Sequence, residues 1–365
     1  MSGFPATLFQ YLVVLFLCCR LSQVVDSSSI RNTEKTKEIT NQHVVAKPND
    51  VVRTIENPLY EHQPISREKE TQSWSYSNPE AWPFLYPTCA GDRQSPVNIE
   101  TVLLKDYSKF YFGNYGGIER MIVTNNGHTV LFSLPLSSSP ESIPYITGGG
   151  LPDRYNFFQF HFHWGSDSSQ GSEHRVDSKS YPAELHLVHY NAKYGSFANA
   201  TNHDDGLAVL GILITVGKPS HSGFRTVVDQ LSKVESDGDE TMLEKPISLN
   251  DLLPSRTTSF FRYSGSLTTP NCEQSVVWTV FDNPIVVLED QLSVFRNLKG
   301  KGGLILVNNF RPTQPLRRRI ITYRSHTGCS VSRNWSLFSP RIKDVYQYCK
   351  CIASFYAIFS STFSS

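Results

Sequence analysis

Hydrophobic and polar residues alternate in short runs along most of the chain after residue 73. Gly, Pro, Asn and Ser separate these runs, a pattern typical of β-strands joined by turns. The clearest runs are Ile122–Thr124, Thr129–Ser133, Phe157–Trp164, Ala183–Tyr190, Ala208–Val216, Val276–Phe281 and Leu304–Val307. Helical periodicity is scarce, and the best short candidates are Phe224–Val234 and Glu289–Leu298. The pattern therefore predicts a mainly β (α+β) domain.

The pattern changes near both ends and divides the chain into four predicted segments. Tyr11–Cys19 is an apolar run shorter than the roughly 20 residues that span a bilayer, which predicts a signal peptide over residues 1–27. Residues 28–72 are polar and lack periodicity, as in a propeptide or linker. The folded domain is predicted over residues 73–326, followed by a C-terminal extension of unknown role over residues 327–365.

Both ends allow a second interpretation. Arg20 follows the N-terminal apolar run and no Lys or Arg precedes it, so a buried N-terminal helix is the alternative to a signal peptide. The tail from Cys351 onward is mildly apolar, which is compatible with a removable lipid-anchor signal that would attach the protein to a membrane surface. An irregular extension is the favoured interpretation of that tail.

Composition and charge narrow the class of protein. A hydrophobic content of 39%, including 12% aromatic residues, allows a sizeable core and excludes global disorder. The formal net charge is +1 and no basic stripe is present, so no nucleic-acid partner is predicted. Two glycosylation sequons begin at Asn199 and Asn334 and fit a secreted, extracellular protein.

Two of the strand-like runs carry three histidines in positions that fit a metal site. Successive side chains of a strand point to opposite faces, so His161 and His163 share one face, as do Glu184 and His186 in the second run. If the two strands are neighbours, three imidazoles converge and one coordination position stays open, as in a catalytic zinc site. Three neutral nitrogens suit Zn²⁺ better than Mg²⁺ or Ca²⁺, which prefer oxygen ligands.

Polar residues on the same faces are placed to support these ligands. Gln159 shares the face of His161, and Glu184 shares that of His186. A metal-bound imidazole normally donates its other N–H to such a group, which fixes its tautomer and orientation. The alternation also places Val188 on the face of His186 and directs His189 away from the metal.

Several short motifs resemble those of α-class carbonic anhydrases and follow the order they have in that family. They are Arg93–Ile99, Asn125–His128, Gln159–Gly165, Gly171–His174, Ala183–His189 and Gly265–Pro270. The resemblance extends from about residue 74 to residue 321. It implies one domain built on a large twisted, mostly antiparallel sheet with short peripheral helices. It also implies reversible hydration of carbon dioxide to bicarbonate by a zinc-bound hydroxide, with His161, His163 and His186 holding the metal.

The resemblance implies roles for further residues. Thr268 would accept the proton of the hydroxide in a hydrogen bond and donate its own proton to Glu173. His128 would transfer protons to buffer, because an imidazole titrates near pH 6.5. The implied substrate pocket consists of Val188, Val209, Leu267, Thr268, Thr269 and Trp278. The implied metal-supporting and water-ordering residues are Tyr76, Asn126, Gln159, Glu184 and Asn309, the last through its backbone carbonyl alone.

Two further expectations depend on the same resemblance. Cys89 and Cys272 match cysteines that are bridged in the secreted and membrane-anchored members, whereas the partners of Cys329, Cys349 and Cys351 remain open. Leu131 replaces a polar residue found in many members, which alters the wall along which water would be ordered.

Three other functions are possible for such a chain. A catalytically silent carbonic-anhydrase-like binding module typically lacks one or more of the zinc ligands, yet all three histidines are present. An extracellular matrix role is compatible with catalysis, but neither terminal segment shows an acidic or repetitive mineral-binding pattern. A metalloprotease is not indicated, since the His-Glu-x-x-His motif is missing from the sequence.

Overall fold

The computed structural model describes residues 74–118, 120–135 and 138–326. The predicted signal peptide, the polar segment that follows it, the C-terminal extension, Asn334 and the three cysteines Cys329, Cys349 and Cys351 lie outside the described residues. In the described part of the chain, no helix combines the length and the apolar character needed to cross a membrane.

Strands predominate among the described elements, as the alternating pattern predicts. The strands are β1 (Asn98–Ile99), β2 (Leu103–Leu104), β3 (Phe110–Gly113), β4 (Ile122–Asn125), β5 (Val130–Ser133), β6 (Tyr145–Gly148), β7 (Tyr155–Trp164), β8 (Arg175–Val176), β9 (Ala183–Asn191), β10 (Leu207–Val216), β11 (Glu240–Met242), β12 (Phe260–Gly265), β13 (Val276–Phe281), β14 (Ile285–Val287) and β15 (Thr322–Arg324). The α-helices are α1 (Trp82–Leu85), α2 (Phe197–Ala200), α3 (Phe224–Leu231) and α4 (Glu289–Phe295).

Thirteen of the described strands form one large sheet, and β1 and β8 form a separate parallel pair. Ten of them lie side by side in the order β11-β4-β5-β7-β9-β10-β13-β12-β15-β2. Most neighbours are antiparallel, while β10 runs parallel to β13 and β14, and β15 runs parallel to β2. This mixed, mostly antiparallel sheet with short peripheral helices confirms the expected fold class.

One predicted strand, Leu304–Val307, is wrong. The segment makes a single bridge, between Ile305 and Lys299, and Leu304 is 75% exposed. Its backbone serves other partners: the Leu306 N–H donates to the Leu298 carbonyl at 2.8 Å, and the Leu306 carbonyl accepts from Trp164 Nε1 at 2.9 Å. The apolar run is therefore a loop anchored by Leu306.

The centre of the sheet is apolar on both faces. Along β10, Leu210 and Ile212 join one hydrophobic cluster, and Val209 and Leu213 join a second. A strand covered on both faces is apolar along nearly its whole length, as β10 is from Leu207 to Ile214. Strand β9 lies next to β10, and β7 lies next to β9, so the polar residues that these two strands carry stand on a rigid, largely buried part of the sheet.

A disulfide joins Cys89 to Cys272, as the resemblance predicts. The two residues are separated by 183 positions and pack with Trp82, which is 1% exposed. The bond ties the segment after α1 to the turn that follows Thr268 and Thr269. It thereby fixes the N-terminal part of the described chain beside the predicted active site.

Candidate metal centre

Pairing of β7 with β9 brings the three predicted ligands together. His161 lies opposite His186 in the ladder, and His163 lies opposite Glu184. A register irregularity between Phe157 and Gln159 precedes the ligands, while Phe160, Phe162 and Trp164 on the other face are buried in the core.

The three imidazoles point one nitrogen each at a common centre. His163 Nε2 lies 3.1 Å from His161 Nε2 and 3.1 Å from His186 Nδ1. Nitrogens that share one zinc ion at about 2.0–2.1 Å lie roughly 3.3 Å apart in tetrahedral geometry. His163 and His186 are almost fully buried, whereas His161 is half-buried.

The opposite nitrogen of each imidazole faces a hydrogen-bond acceptor. His161 Nδ1 donates to Gln159 Oε1 at 2.9 Å and His163 Nδ1 donates to the Asn309 carbonyl at 2.7 Å. His186 Nε2 donates to Glu184 Oε1 at 2.8 Å. A backbone carbonyl and a carboxylate only accept hydrogen bonds, so the protons belong on the outer nitrogens and lone pairs face the centre.

Burial keeps these imidazoles neutral. It lowers the pKa of His163 to about 4 and the pKa of His186 below its ordinary value. Burial, with the neighbouring His163 and His186, holds the pKa of His161 well below 6.5. Although burial opposes its ionisation, His174 and His186 hold the pKa of Glu184 well below its ordinary range. Three neutral ligands are thus backed by an ionised carboxylate.

A second carboxylate, that of Glu173, lies beside the nitrogen cluster. Its Oε1 accepts the backbone N–H of Arg311 at 2.8 Å, while Oε2 lies 3.5 Å from His163 Nε2 and 3.9 Å from His186 Nδ1. Burial raises the pKa of Glu173 to about 7, and the nearby His186, the Arg311 N–H and the Thr268 hydroxyl oppose that rise. Among the described residues, Oε2 has no well-formed hydrogen bond.

These features together fit a zinc ion. Three lone pairs directed at one point repel one another, and Glu173 Oε2 lies 3.5 and 3.9 Å from two of these nitrogens, where its ionised form adds negative charge. A divalent cation at that point would offset both costs. Nitrogen donors favour zinc over magnesium or calcium, and three protein ligands leave a position open for water.

Apolar side chains lie next to the metal ligands. Val188 is opposite both Gln159 on β7 and Val209 on β10, and Val209 is opposite Trp278 on β13. The Trp278 ring centroid is 4.8 Å from that of His186. Leu267 packs on the same cluster. Four residues of the predicted substrate pocket, Val188, Val209, Leu267 and Trp278, therefore belong to one apolar cluster, and Trp278 lies beside His186.

A cavity of about 120 Å³ opens from the ligands toward the surface. Of the predicted metal-supporting and water-ordering residues, Tyr76, Asn126 and Gln159 line it, together with His128, Thr269 and Leu131. Leu131 lies directly opposite His161 in the β5–β7 ladder. Asn126 Oδ1 accepts the backbone N–H groups of His128 and Thr129 at 3.0 and 2.9 Å, so its amide shapes the turn that carries His128.

His128 stands at the mouth of this cavity and stacks on Trp74. The ring centroids are 3.8 Å apart and the planes are 9° from parallel. Burial and the positive charge of Lys301 lower the pKa of His128 to about 4, while Asp237 opposes them. The stacked ring thus has a lower pKa than the 6.5 of a free imidazole, because that side chain is half-buried beside a cation.

The side chain of Asn309 does more than the sequence suggests. Its backbone carbonyl supports His163 as predicted, but the amide also accepts the Trp164 N–H at 2.7 Å and donates to the His128 carbonyl at 3.0 Å. The resemblance implies a role for the backbone carbonyl alone, and the side chain is an addition to it. It links the ligand strand β7 to the turn that carries His128.

Sequence reasoning missed two buried partners of the ligand set. His174 Nδ1 lies 2.7 Å from Glu184 Oε1, and His174 Nε2 lies 2.6 Å from the Tyr263 hydroxyl. The position of His174 directly after Glu173 was a signal, although only the fold brings it to Glu184. His189 faces away from the metal, as predicted, and its Nε2 lies 2.6 Å from the Tyr115 hydroxyl.

In the described part of the chain, the fold and the site define a three-histidine cluster that fits zinc, next to a cavity with apolar residues on one side. The family model of eukaryotic-type carbonic anhydrases matches residues 77–325. The chain is 39% identical to carbonic anhydrase 15 of Mus musculus over 269 residues, which are 68% of this chain and 82% of the mouse protein. It is 38% identical to carbonic anhydrase 7 of Homo sapiens over 259 residues, covering 68% and 96%. It is also 37% identical to carbonic anhydrase 3 of Sus scrofa over 261 residues, covering 68% and 97%.

The chain belongs to the eukaryotic-type, or α-class, carbonic anhydrase family. Its three zinc ligands are in place, and the substrate that the family implies is carbon dioxide or bicarbonate.

Proposed function

We propose that this protein catalyses reversible hydration of carbon dioxide to bicarbonate and a proton, with zinc held by His161, His163 and His186. The observation that carries the proposal is the convergence of three lone-pair nitrogens, each fixed from behind by an acceptor. When bound, zinc lowers the pKa of a coordinated water into the neutral range, as is established for carbonic anhydrases.

Thr268 and Glu173 orient the nucleophile in this proposal. Thr268 is 5% exposed, and its hydroxyl favours the ionised form of Glu173. Glu173 is held from its other oxygen by the Arg311 N–H at 2.8 Å. An ionised Glu173 can only accept, so the Thr268 hydroxyl donates to it and keeps its lone pairs for the proton of the attacking hydroxide. The nucleophile is then presented to carbon dioxide in one orientation.

The apolar side of the cleft binds the substrate. Carbon dioxide is small and apolar, and Val188, Val209 and Trp278 supply an apolar wall beside His186. Leu267 and Thr269 flank Thr268 in the chain and complete the proposed pocket. Leu131 adds a second apolar surface next to the polar residues that line the cavity.

His128 carries the product proton to buffer. The cavity joins its ring to His161 and His163 through a space lined by Tyr76 and Thr269. A ring with a pKa of about 4 is a weak base at neutral pH. We therefore propose that His128 accepts protons when its ring leaves the stack with Trp74 and is better solvated, which would raise its pKa.

We also propose that the protein is secreted as a glycoprotein. The Cys89–Cys272 disulfide supports an oxidising compartment, and Asn199 is exposed at the start of a sequon. In this proposal residues 1–27 are removed as a signal peptide, residues 28–72 form a propeptide or linker, and residues 73–326 are the catalytic domain. Residues 327–365 then form an extension that, if it carries a lipid anchor, would place the domain at a membrane surface.

A stopped-flow assay of purified protein tests the catalytic proposal. Carbon dioxide hydration and bicarbonate dehydration should both be accelerated, and a zinc chelator should abolish both. Zinc-loaded protein that accelerates neither reaction would behave as a silent binding module, and that result would reject the proposal. Peptide mass spectrometry before and after glycosidase treatment tests the glycan at Asn199, and unmodified Asn199 in protein from a secretory host would contradict it.

A further inference from the structure

We propose that Ser95 is a positioning residue for the zinc centre, through which the disulfide-linked segment 89–95 holds Thr268, Glu173 and His186 in place. The proposal rests on the proposed function, since the geometry that Ser95 maintains is that of the hydration reaction. Ser95 belongs to the Arg93–Ile99 motif, for which the sequence suggests no role.

All the polar atoms of Ser95 are engaged, and the residue is fully buried. Its Oγ accepts the Tyr263 hydroxyl at 2.9 Å and the Ser266 backbone N–H at 3.0 Å. Its own N–H donates to Ser266 Oγ at 3.0 Å, and its carbonyl accepts Arg311 Nη1 at 2.9 Å. Ser95 thus joins its own segment to two others, the end of β12 and the segment that contains Arg311.

The first connection leads to Thr268. Ser95 and Ser266 form two reciprocal hydrogen bonds, and Ser266 precedes Thr268 by two residues. The Ser266 carbonyl accepts Trp278 Nε1 at 2.9 Å. A methyl group added at Gly265 would lie 2.1 Å from Ser95 Oγ, so the hydroxyl packs directly against this backbone. Ser95 therefore fixes the peptide from which Thr268 projects.

The second connection leads to a zinc ligand. From Ser95 Oγ, close polar contacts continue through the Tyr263 hydroxyl to His174 Nε2 at 2.6 Å. His174 Nδ1 contacts Glu184 Oε1 at 2.7 Å, and the same oxygen accepts from His186 Nε2 at 2.8 Å. His174 and Glu184 are fully buried, so water does not replace a link that is lost.

The third connection leads to Glu173 through Arg311. The Arg311 guanidinium bonds the Ser95 carbonyl, Gln94 Oε1 at 2.8 Å and the Cys89 carbonyl at 3.1 Å. The backbone N–H of the same arginine holds Glu173 Oε1. The segment that the disulfide anchors is therefore linked to Thr268, Glu173 and His186, in each case through intervening residues.

Ser95→Ala tests the proposal in the zinc-loaded protein. The substitution leaves the Tyr263 hydroxyl and the Ser266 N–H without their acceptor. Partners directly behind metal ligands typically change activity or metal affinity 10–100-fold, and Ser95 lies three contacts beyond Glu184, the direct partner of His186. We expect kcat/KM for hydration to fall about three- to tenfold and zinc release to a chelator to accelerate by a similar factor.

Ser275→Ala is the matched control. Ser275 is 1% exposed, and its hydroxyl has no hydrogen-bond partner among the described residues. Removing the same oxygen there should leave kcat/KM and zinc release unchanged. The buffer-dependent proton transfer that limits kcat should be unchanged in both variants, because neither residue lines the cavity toward His128.

The outcomes separate a positioning role from a merely structural one. A lower melting temperature for Ser95→Ala with unchanged kcat/KM and zinc release would overturn the proposal. If that variant does not fold, Tyr263→Phe takes its place, since it removes one hydroxyl from the same path and should accelerate zinc release. Where both fold, their effects on zinc release should be less than additive, and full additivity would count against a shared path. A parent protein without hydratase activity rejects the proposed function, whereas zinc release still tests Ser95.

Discussion

The zinc-binding floor of the cleft and its mouth hold their imidazoles in different ways. On the floor, His161, His163 and His186 each donate to a fixed acceptor, and their strands lie at the centre of a buried sheet. At the mouth, the His128 ring is positioned by stacking on Trp74. Hydrogen bonds fix both the direction and the tautomer of a ring, whereas stacking fixes its plane and leaves rotation about the side chain possible. Rigidity suits a ligand set, and mobility suits a group that must pass protons to solvent.

The largest effect should follow from removing a floor imidazole. In His161→Ala the zinc site loses one of three ligands, so we expect zinc content and hydration activity to be lost together, the activity by more than about 10³-fold. Metal analysis and stopped-flow assays measure both. His203→Ala is the control, because His203 is exposed and stacks on Tyr194. Loss of zinc with retained activity would contradict the account.

A smaller effect should follow from removing the support behind a ligand. Glu184→Gln keeps the side-chain shape but removes the charge that accepts from His186. We expect zinc affinity or kcat/KM to fall about 10–100-fold. Glu240→Gln is the control, since Glu240 is an exposed residue bonded to Thr124. Competition with a chelator of known affinity measures zinc affinity, and stopped-flow assays measure kcat/KM. If both quantities are equal in the two variants, the Glu184 carboxylate is not needed to support His186.

At the mouth, removal of the His128 imidazole should slow proton transfer to buffer and leave the attack on carbon dioxide unchanged. His128→Ala should lower kcat about tenfold in weak buffer while kcat/KM stays unchanged, because proton transfer and attack on carbon dioxide are separate events. Added imidazole should restore kcat. Turnover that does not respond to imidazole would reject the shuttle role. A matching fall in kcat/KM would show that His128 belongs to the floor.

The stacking contact itself should have a modest effect that is visible by NMR. Trp74→Ala exposes the His128 ring to water, which favours its protonated form, so its pKa should rise from about 4 toward 6.5. Trp74→Phe retains an aromatic ring and should change the pKa less. A titration of the His128 ring resonances measures both variants. An unchanged pKa in Trp74→Ala would show that Lys301, and not burial, dominates.

The burial of His189, which lies away from the zinc ligands, should make the folding stability depend on pH without affecting activity at neutral pH. Burial lowers the pKa of His189 to about 3, so between pH 3 and 6.5 the unfolded chain binds the extra proton. The free energy of unfolding should therefore fall as the pH drops below 6.5, by up to about 1.4 kcal/mol per pH unit from this residue. His189→Gln should flatten the slope in urea unfolding at pH 5 and 7, and an unchanged slope would contradict this assignment.

Local periodicity predicted the strands and the faces of the ligands, because side-chain direction in a strand depends only on the neighbouring residues. His161 and His163 share a face in the structure for that reason. The pairing of His161 with His186 depends on the β7–β9 register, which a nonlocal ladder and an irregularity after Phe157 set. The stacking of Trp74 on His128 and the contacts of Ser95 join distant segments of the chain. The order of neighbouring residues gives no signal for contacts of this kind.

Restoration of activity by zinc tests the central claim most directly. The metal-free protein is titrated with zinc, and hydration activity is measured against metal bound per chain. Activity should be negligible at the start, rise in proportion to bound zinc and level off at about one zinc per chain, in line with a single three-histidine site. Full activity in the metal-free protein, or none with one zinc bound to each chain, would contradict the account.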